Sequence, residues 1–553
     1  MGRLFFEFLC DGKRKLNIAV SDVSRTRSTL PGHSEKEVKR GAPVISSYEE
    51  VGLLTSFPVH DKEDLTKLDI YWSKNTLSPP IDQIRDYFGE SVALYWSFAR
   101  AYTRLLVIIA FLGLIEHCVE QYGVNYVYTN VTFTFLNLLS LAFFCELWKR
   151  QSNEHSFYWG TAGKLRLKPP RPEYRGDLRE NPVTGKPEMF YPPIKRLKTL
   201  MLVSVPVTVI CLLVAFLLMI LSLEAEKWMA DYLLDPDTEQ LRTDLTSQIL
   251  INLPSILYSL IILIFNKIYF KIGRWLTVKE NHRTDDQHNL HLTLKLIAFE
   301  FVNTFIALFY VGFWQRDLPG LRAHLCTTLI TQQVVNQVME VIIPYFLQTP
   351  TTIKLQYKMA KMASKLGINE KPRARQLRVT DLEGEDNVQV IHQVYHDLLA
   401  DPLDADLHDD FMEMWLQFGH VFLFAAIYPL AASIALLNNI TEFYADKYKL
   451  MRLTRKPKPL AVRDIGGWYL AFRLTAFISI ATNCALIALD LHPTASSKGW
   501  SDLQWWGMFV VVEKIFEVIF IGINSLIPDT SSRVKIAMDR TDFHFKQKTV
   551  KAQ

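Results

Sequence analysis

The chain has 553 residues, 49% hydrophobic and 12% aromatic, and its 61 Lys and Arg nearly balance 57 Asp and Glu for a net charge of +4. The apolar residues gather in runs of about 20, long enough to cross a bilayer, which excludes an ordinary soluble protein. There is no phosphate-binding loop, no GxSxG and no HExxH, so no enzyme chemistry is expected, and no nucleic-acid partner either. Residues 1–83 read as a small cytosolic α/β domain, with an apolar opening at Leu4–Cys10 and a Ser/Arg/Lys-rich loop at Val23–Arg40. The pattern of a secretory signal is missing, so the first span is expected to direct insertion.

Ten spans are expected in an all-α membrane domain covering residues 84–528. In chain order they are Leu105–Cys118 with a turn or two before it, Tyr126–Leu147, Leu200–Leu223, Ile249–Phe270 and Leu294–Phe313, then Leu325–Leu347, Phe411–Tyr428, Leu430–Ala445, Trp468–Leu489 and Trp505–Ile527. The seventh and eighth are separated only by Tyr428-Pro429, so a tight hairpin is expected there. No Lys or Arg occurs between Arg104 and Lys149, whereas Lys149–Lys198 is dense with them and the connection after Leu223 is acidic. By the positive-inside rule both termini are cytosolic. A cytosolic linker at 348–408 and a basic tail at 529–553 complete the chain, and basic flanks of this kind attract anionic lipid. The six cysteines are scattered and suggest no disulfide framework. Glu280, His282, Asp285, Asp286, His288 and His291 are read as a solvated cytosolic loop rather than a metal cluster.

The informative residues are acids inside apolar stretches, which are expensive there and point to function. Asn336 and Glu340 are i,i+4, Asp410 and Glu413 are i,i+3, and Glu442 and Asp446 are i,i+4, so each pair shares one helix face. Three helices can thus aim oxygen ligands at one point. A carboxylate-rich set without His or Cys suits a hard cation, Ca2+, and two ions would nearly cancel five carboxylates. The alternative for any single pair is a hydrated helix end at the cytosolic boundary, with Asp410 as a cap.

Several words in the chain together resemble the anoctamins, a family of calcium-activated chloride channels and phospholipid scramblases. They are Ile84-Arg85-Asp86-Tyr87-Phe88-Gly89-Glu90, Glu146-Leu147-Trp148-Lys149-Arg150, Glu280-Asn281-His282-Arg283-Thr284, Phe301-Val302-Asn303 and Leu436-Leu437-Asn438-Asn439-Ile440. Asn181-Pro182-Val183-Thr184-Gly185 with Tyr191-Pro192-Pro193 is similar to the branch that includes anoctamins 8 and 10. The resemblance implies that Asn336, Glu340, Asp410, Glu413, Glu442 and Asp446 are the calcium ligands, two ions per protomer, with Glu146 and Asp529 as candidates for a further calcium position. It also implies a homodimer in which each protomer has a groove between spans four, five and six that conducts chloride or other ions or lets phospholipids cross. Asn252, Ser255, Tyr258, Ser259, Lys295, Asn303, Thr304, Thr331 and Gln332 are the groove candidates. The sixth span lacks the hinge glycine common in the family, with Ile330 in its place, which leaves Pro344 as its expected bend. The residues 1–83 are short for the family. The expected function is calcium-activated transport of ions, lipids or both, in the plasma membrane or endoplasmic reticulum; the alternative is a membrane-contact tether with little transport.

Overall fold

The computed structural model describes residues 24–26, 36–38, 58–122, 126–161, 171, 173–180, 185, 187–233, 245–337, 401–402, 407–457, 459, 462–497 and 499–552. Most of 1–83 and of the linker 348–408 therefore lies outside the described residues, as do Glu340 and Pro344. The chain divides into a small unit, Met1–Pro58 with Pro169–Phe190, and a large one, Val59–Lys168 with Tyr191–Gln553. In the small unit β1 (Ser24–Thr26) pairs antiparallel with β2 (Lys36–Val38), and β3 (Asp177–Glu180) with β4 (Pro187–Phe190).

The large unit is helical. It begins with α1 (Lys62–Ser73), whose first turn is capped by Asp61 accepting from the amides of Glu63 and Asp64. A short α2 (Ile81–Phe88) follows and stops at Gly89, where φ is 103° and ψ 173°, a conformation open to glycine alone. That break lets the chain start α3 (Glu90–Gln121) in a new direction. Then come α4 (Tyr126–Tyr158), α5 (Pro193–Thr199), α6 (Val205–Leu233), α7 (Leu245–Lys279), α8 (Asp285–Glu300), α9 (Ile306–Phe309) and α10 (Leu318–Gln337). After the linker, α11 (His408–Phe422) and α12 (Ala431–Tyr448) form a hairpin, followed by α13 (Gly467–Ser497), α14 (Asp502–Leu526) and α15 (Ser532–Ala552). One-turn π-helical pieces at Leu200–Ser204, Phe301–Phe305, Tyr310–Gln315 and Lys449–Leu453 interrupt these helices, so α5 to α6 and α8 to Gln315 are continuous but locally rewound. Beyond the last of them a parallel bridge joins β5 (Asp401–Pro402) to β6 (Thr454–Arg455).

Among the described residues five helices are long and apolar enough to cross a membrane: Glu90–Gln121, Tyr128–Tyr158, Pro193–Met229, Asp285–Gln315 and Gly467–Pro493. At 1.5 Å per residue each exceeds the roughly 30 Å hydrocarbon layer. The third exposes Leu202, Ile210, Leu213, Leu217 and Leu221. A helix face that apolar is stable against lipid and costly against water.

α3 packs along α4 and α12. Its Gly113 lies so close to the hairpin turn that an added Cβ would collide with the carbonyl oxygen of Pro429. The turn itself, between Phe422 and Ala431, leaves backbone groups without helical partners inside the core. Asn483 of α13 engages two of them: its amide nitrogen donates to the carbonyl of Phe422 (2.7 Å), as well as to Ser479 of its own helix (2.7 Å), and its oxygen accepts from the amide of Ala426 (2.8 Å). The core around this hairpin is aromatic, with Trp415, Phe418, Phe422 and Phe424 wholly buried. Trp96 of α3 meets Trp72 of α1 edge-on at 4.6 Å between ring centres.

Candidate metal centre

The hairpin α11–α12 carries four of the expected ligands. Asp410, Glu413, Glu442 and Asp446 line one cavity of about 30 Å³ together with Tyr95 and Trp96 of α3, space for at least one water-sized occupant. The i,i+3 and i,i+4 spacings place each pair on a single face, and both faces border this cavity. Asp410 stands in the first turn of α11, where the helix dipole favours a negative charge. The chain enters that turn through buried Leu407, a non-glycine residue at φ 49°.

Two neutral oxygens complete the wall. Gln417 and Asn438 line the same cavity, and the side-chain oxygen of each is buried without a hydrogen-bond partner. Buried acceptors left unpaired are costly, and a cation is a partner that answers both. Four carboxylates and two amide oxygens form a hard, flexible donor set of the kind calcium takes. Gln417 lies i+4 from Glu413 and Asn438 i−4 from Glu442, so extending the same spacing rule by one turn finds both.

Two further contacts were not foreseen from the sequence. Tyr95 Oη donates to Asp446 Oδ2 at 2.5 Å, across 351 residues of chain. Lys449 Nζ donates to Asp410 Oδ1 at 2.6 Å, with the two side chains only 17% and 9% exposed. Asn336 lies on α10, its side chain outside the described set.

The other candidate acids are each held by a cation. Glu146 is buried and lies 4.0 Å from Arg473 Nη2. In the orientation that satisfies its neighbours, the Asn524 amide donates to both Glu146 oxygens (3.0 and 3.1 Å) and accepts from Arg473 (3.1 Å). Asp529 pairs with Lys149 Nζ at 2.6 Å.

The loop after α7 is solvated only in part, with Asp285 exposed. Glu280 and His282 are buried, and Glu280, His282 and His291 bring their ligand atoms within 4.8 Å of one another. A cation is already in place: Lys295 Nζ lies 2.8 Å from Glu280 Oε1, while Ser204 Oγ (2.5 Å) donates to the same carboxylate and His282 Nε2 (2.8 Å) bonds to it. Burial works to raise the Glu280 carboxyl, but these bonds and the Lys295 charge outweigh it and hold the pKa at about 2.

Of the expected groove residues, Lys295 is thus turned to Glu280. Asn303 is buried and donates to Asn266 Oδ1 of α7 at 2.8 Å, Thr304 is half-buried, and Thr331 is exposed. Glu300 stands beside them, buried, with Oε2 unpartnered. Asn252, Ser255, Tyr258, Ser259 and Gln332 lie on α7 and α10 with side chains outside the described set.

The sequence matches the family described as "Anoctamin: Calcium-activated chloride channel" over residues 84–541. Human Anoctamin-10 is 33% identical over 94% of this chain and 75% of its own length, and zebrafish (Danio rerio) Anoctamin-10 is 34% identical over 94% and 76%. Human Anoctamin-8 is 32% identical over 55% of this chain and 24% of its own length. With its helical architecture and a family match that runs through all the membrane helices, the chain belongs to the anoctamin family.

Proposed function

We propose that the protein is a calcium-gated conduit in which ions and phospholipid headgroups move along the groove beside spans four, five and six. The observation that carries the reading is the cavity in which four carboxylates from α11 and α12 meet two partnerless amide oxygens. Calcium, two ions per protomer, balances the carboxylate charge of this wall. Asp410 and Glu413 bind from one side of the hairpin and Glu442 and Asp446 from the other, with Asn336 and Glu340 of the sixth span as the remaining donors. Because that span also borders the groove, a charge change at the acids is felt where the permeant passes.

Lys295, the basic side chain that would favour an anion, is engaged by Glu280, and Glu300 and Asn303 stand in the fifth span instead. That supports a poorly selective conduit over a dedicated chloride pore. A homodimer with cytosolic termini and one groove per protomer, in the plasma membrane or endoplasmic reticulum, completes the proposal.

The test is lipid scrambling and chloride flux in the same reconstituted vesicles, with and without calcium, for wild type, Glu413→Gln and Glu442→Gln. Calcium-stimulated transport lowered at least about tenfold in both variants is the expected result. Transport that ignores calcium in wild type, or survives in both variants, refutes the switch. A second reading, a membrane tether, draws on α15, which carries Arg533, Lys535, Arg540, Lys546, Lys548 and Lys551 against Asp539 and Asp542. Removing residues 533–553 is expected to abolish vesicle tethering and spare transport.

A further inference from the structure

We infer that Lys449 is a tethered counter-ion of the carboxylate cavity, competing with calcium for Asp410 and thereby setting the calcium threshold. The inference rests on the calcium reading above. Glu442, Asp446 and Lys449 recur at i, i+4 and i+7, so the ammonium leaves the same helix face as two of the ligands, one turn further on. From there it reaches across the hairpin to Asp410 Oδ1 at 2.6 Å, a charge-assisted bond between two largely buried groups. A second, smaller cavity of about 10 Å³, walled by Tyr95, Leu407, Asp410, Asp446 and Lys449, shares Asp410 and Asp446 with the larger one. The lysine therefore borders the acids from one end.

Its partner is a calcium donor, which separates Lys449 from the other internal cations. At Glu280 the ammonium of Lys295, the hydroxyl of Ser204 and the ring of His282 surround a single carboxylate, and at Glu146 an arginine and an amide do the same. Lys449 pairs with Asp410, one of the four carboxylates that line the larger cavity. An arriving divalent ion must share Asp410 with a like charge or push the ammonium aside. Tyr95 on Asp446 is a neutral donor and exacts no such repulsion.

The experiment is calcium titration calorimetry on the full-length protein in lipid nanodiscs, for wild type, Lys449→Met, Lys449→Gln and Lys449→Arg. Lys449→Gln keeps a donor for Asp410 without the charge, so it reports on charge even where Lys449→Met folds poorly. Both neutral variants are expected to bind calcium about tenfold more tightly, with Lys449→Arg close to wild type. The half-activating calcium concentration for scrambling is expected to fall by the same factor. Folded Lys449→Gln protein whose calcium affinity equals or falls below that of a calcium-binding wild type overturns the inference and spares the calcium site. Binding that appears only in the neutral variants upholds it in its strongest form. No binding in any of the four overturns the calcium reading and this inference together.

Discussion

At Glu280 the carboxylate is contacted by Lys295, His282 and Ser204 at once, and its removal leaves a buried ammonium without an anion. Breaking such a pair costs about 3–5 kcal/mol, so Glu280→Gln is expected to lower the thermal midpoint of the purified protein sharply. Adding Lys295→Met to it should restore part of that loss, a non-additivity that a double-mutant cycle reads directly. The pH dependence has a definite sign. The Glu280 pKa falls from 4.5 to about 2 on folding, so the stability it contributes is complete above about pH 4.5 and is lost as pH falls toward 2. The gap in thermal midpoint between wild type and Glu280→Gln is therefore expected to close over that window. Where one helix turn carries the information, spacing alone groups Asp410 with Glu413 and Glu442 with Asp446, and all four line one cavity. It missed Tyr95, because no local pattern links residues 351 positions apart. Lys449 was hidden by its company: in a basic run at a helix end it resembles any positive-inside flank. At Glu280 composition misled, because polar residues that look solvated from sequence satisfy one another in the interior.

Among the elements, the hairpin α11–α12 governs the site. Tyr428-Pro429 announces a turn, yet α11 stops at Phe422, because the last residues of the expected seventh span form the turn that Asn483 grips. Nothing in residues 411–445 reveals this, since the grip comes from α13. Asn483→Ala removes the donor and the acceptor that satisfy this buried backbone, at a cost of about 1–3 kcal/mol. A lower unfolding temperature together with weaker calcium binding is the expected pair of results; unchanged calcium binding would mean that the hairpin holds its ligands without Asn483. The π-helical turns were equally illegible, since the residues of Phe301–Phe305 and Lys449–Leu453 are compatible with an ordinary α-helix. One of them begins at Lys449, where α12 gives way toward β6, and another lies beside Glu300 in the fifth span.

For the whole molecule, long apolar runs announced a helical membrane protein and the structure is one, because span length and lipid contact are properties of composition. A ligand that binds only the folded protein stabilises all of it, so calcium at 100 times its dissociation constant should raise the unfolding free energy by about 2.7 kcal/mol. Magnesium demands a tighter octahedral shell and is expected to give little of this shift. A thermal melt with equal concentrations of the two ions checks the prediction, and equal stabilisation by both would argue against a calcium-selective cavity. The indole of Trp96 is part of the cavity wall and rests edge-on against Trp72, both rings buried. Indole emission shifts with the electric field across the ring, so the protein carries an optical gauge of the charge on its own acids. Chelating calcium should move the ultraviolet emission of wild type but not of Trp96→Phe, which makes occupancy readable without a label, a lipid assay or a current.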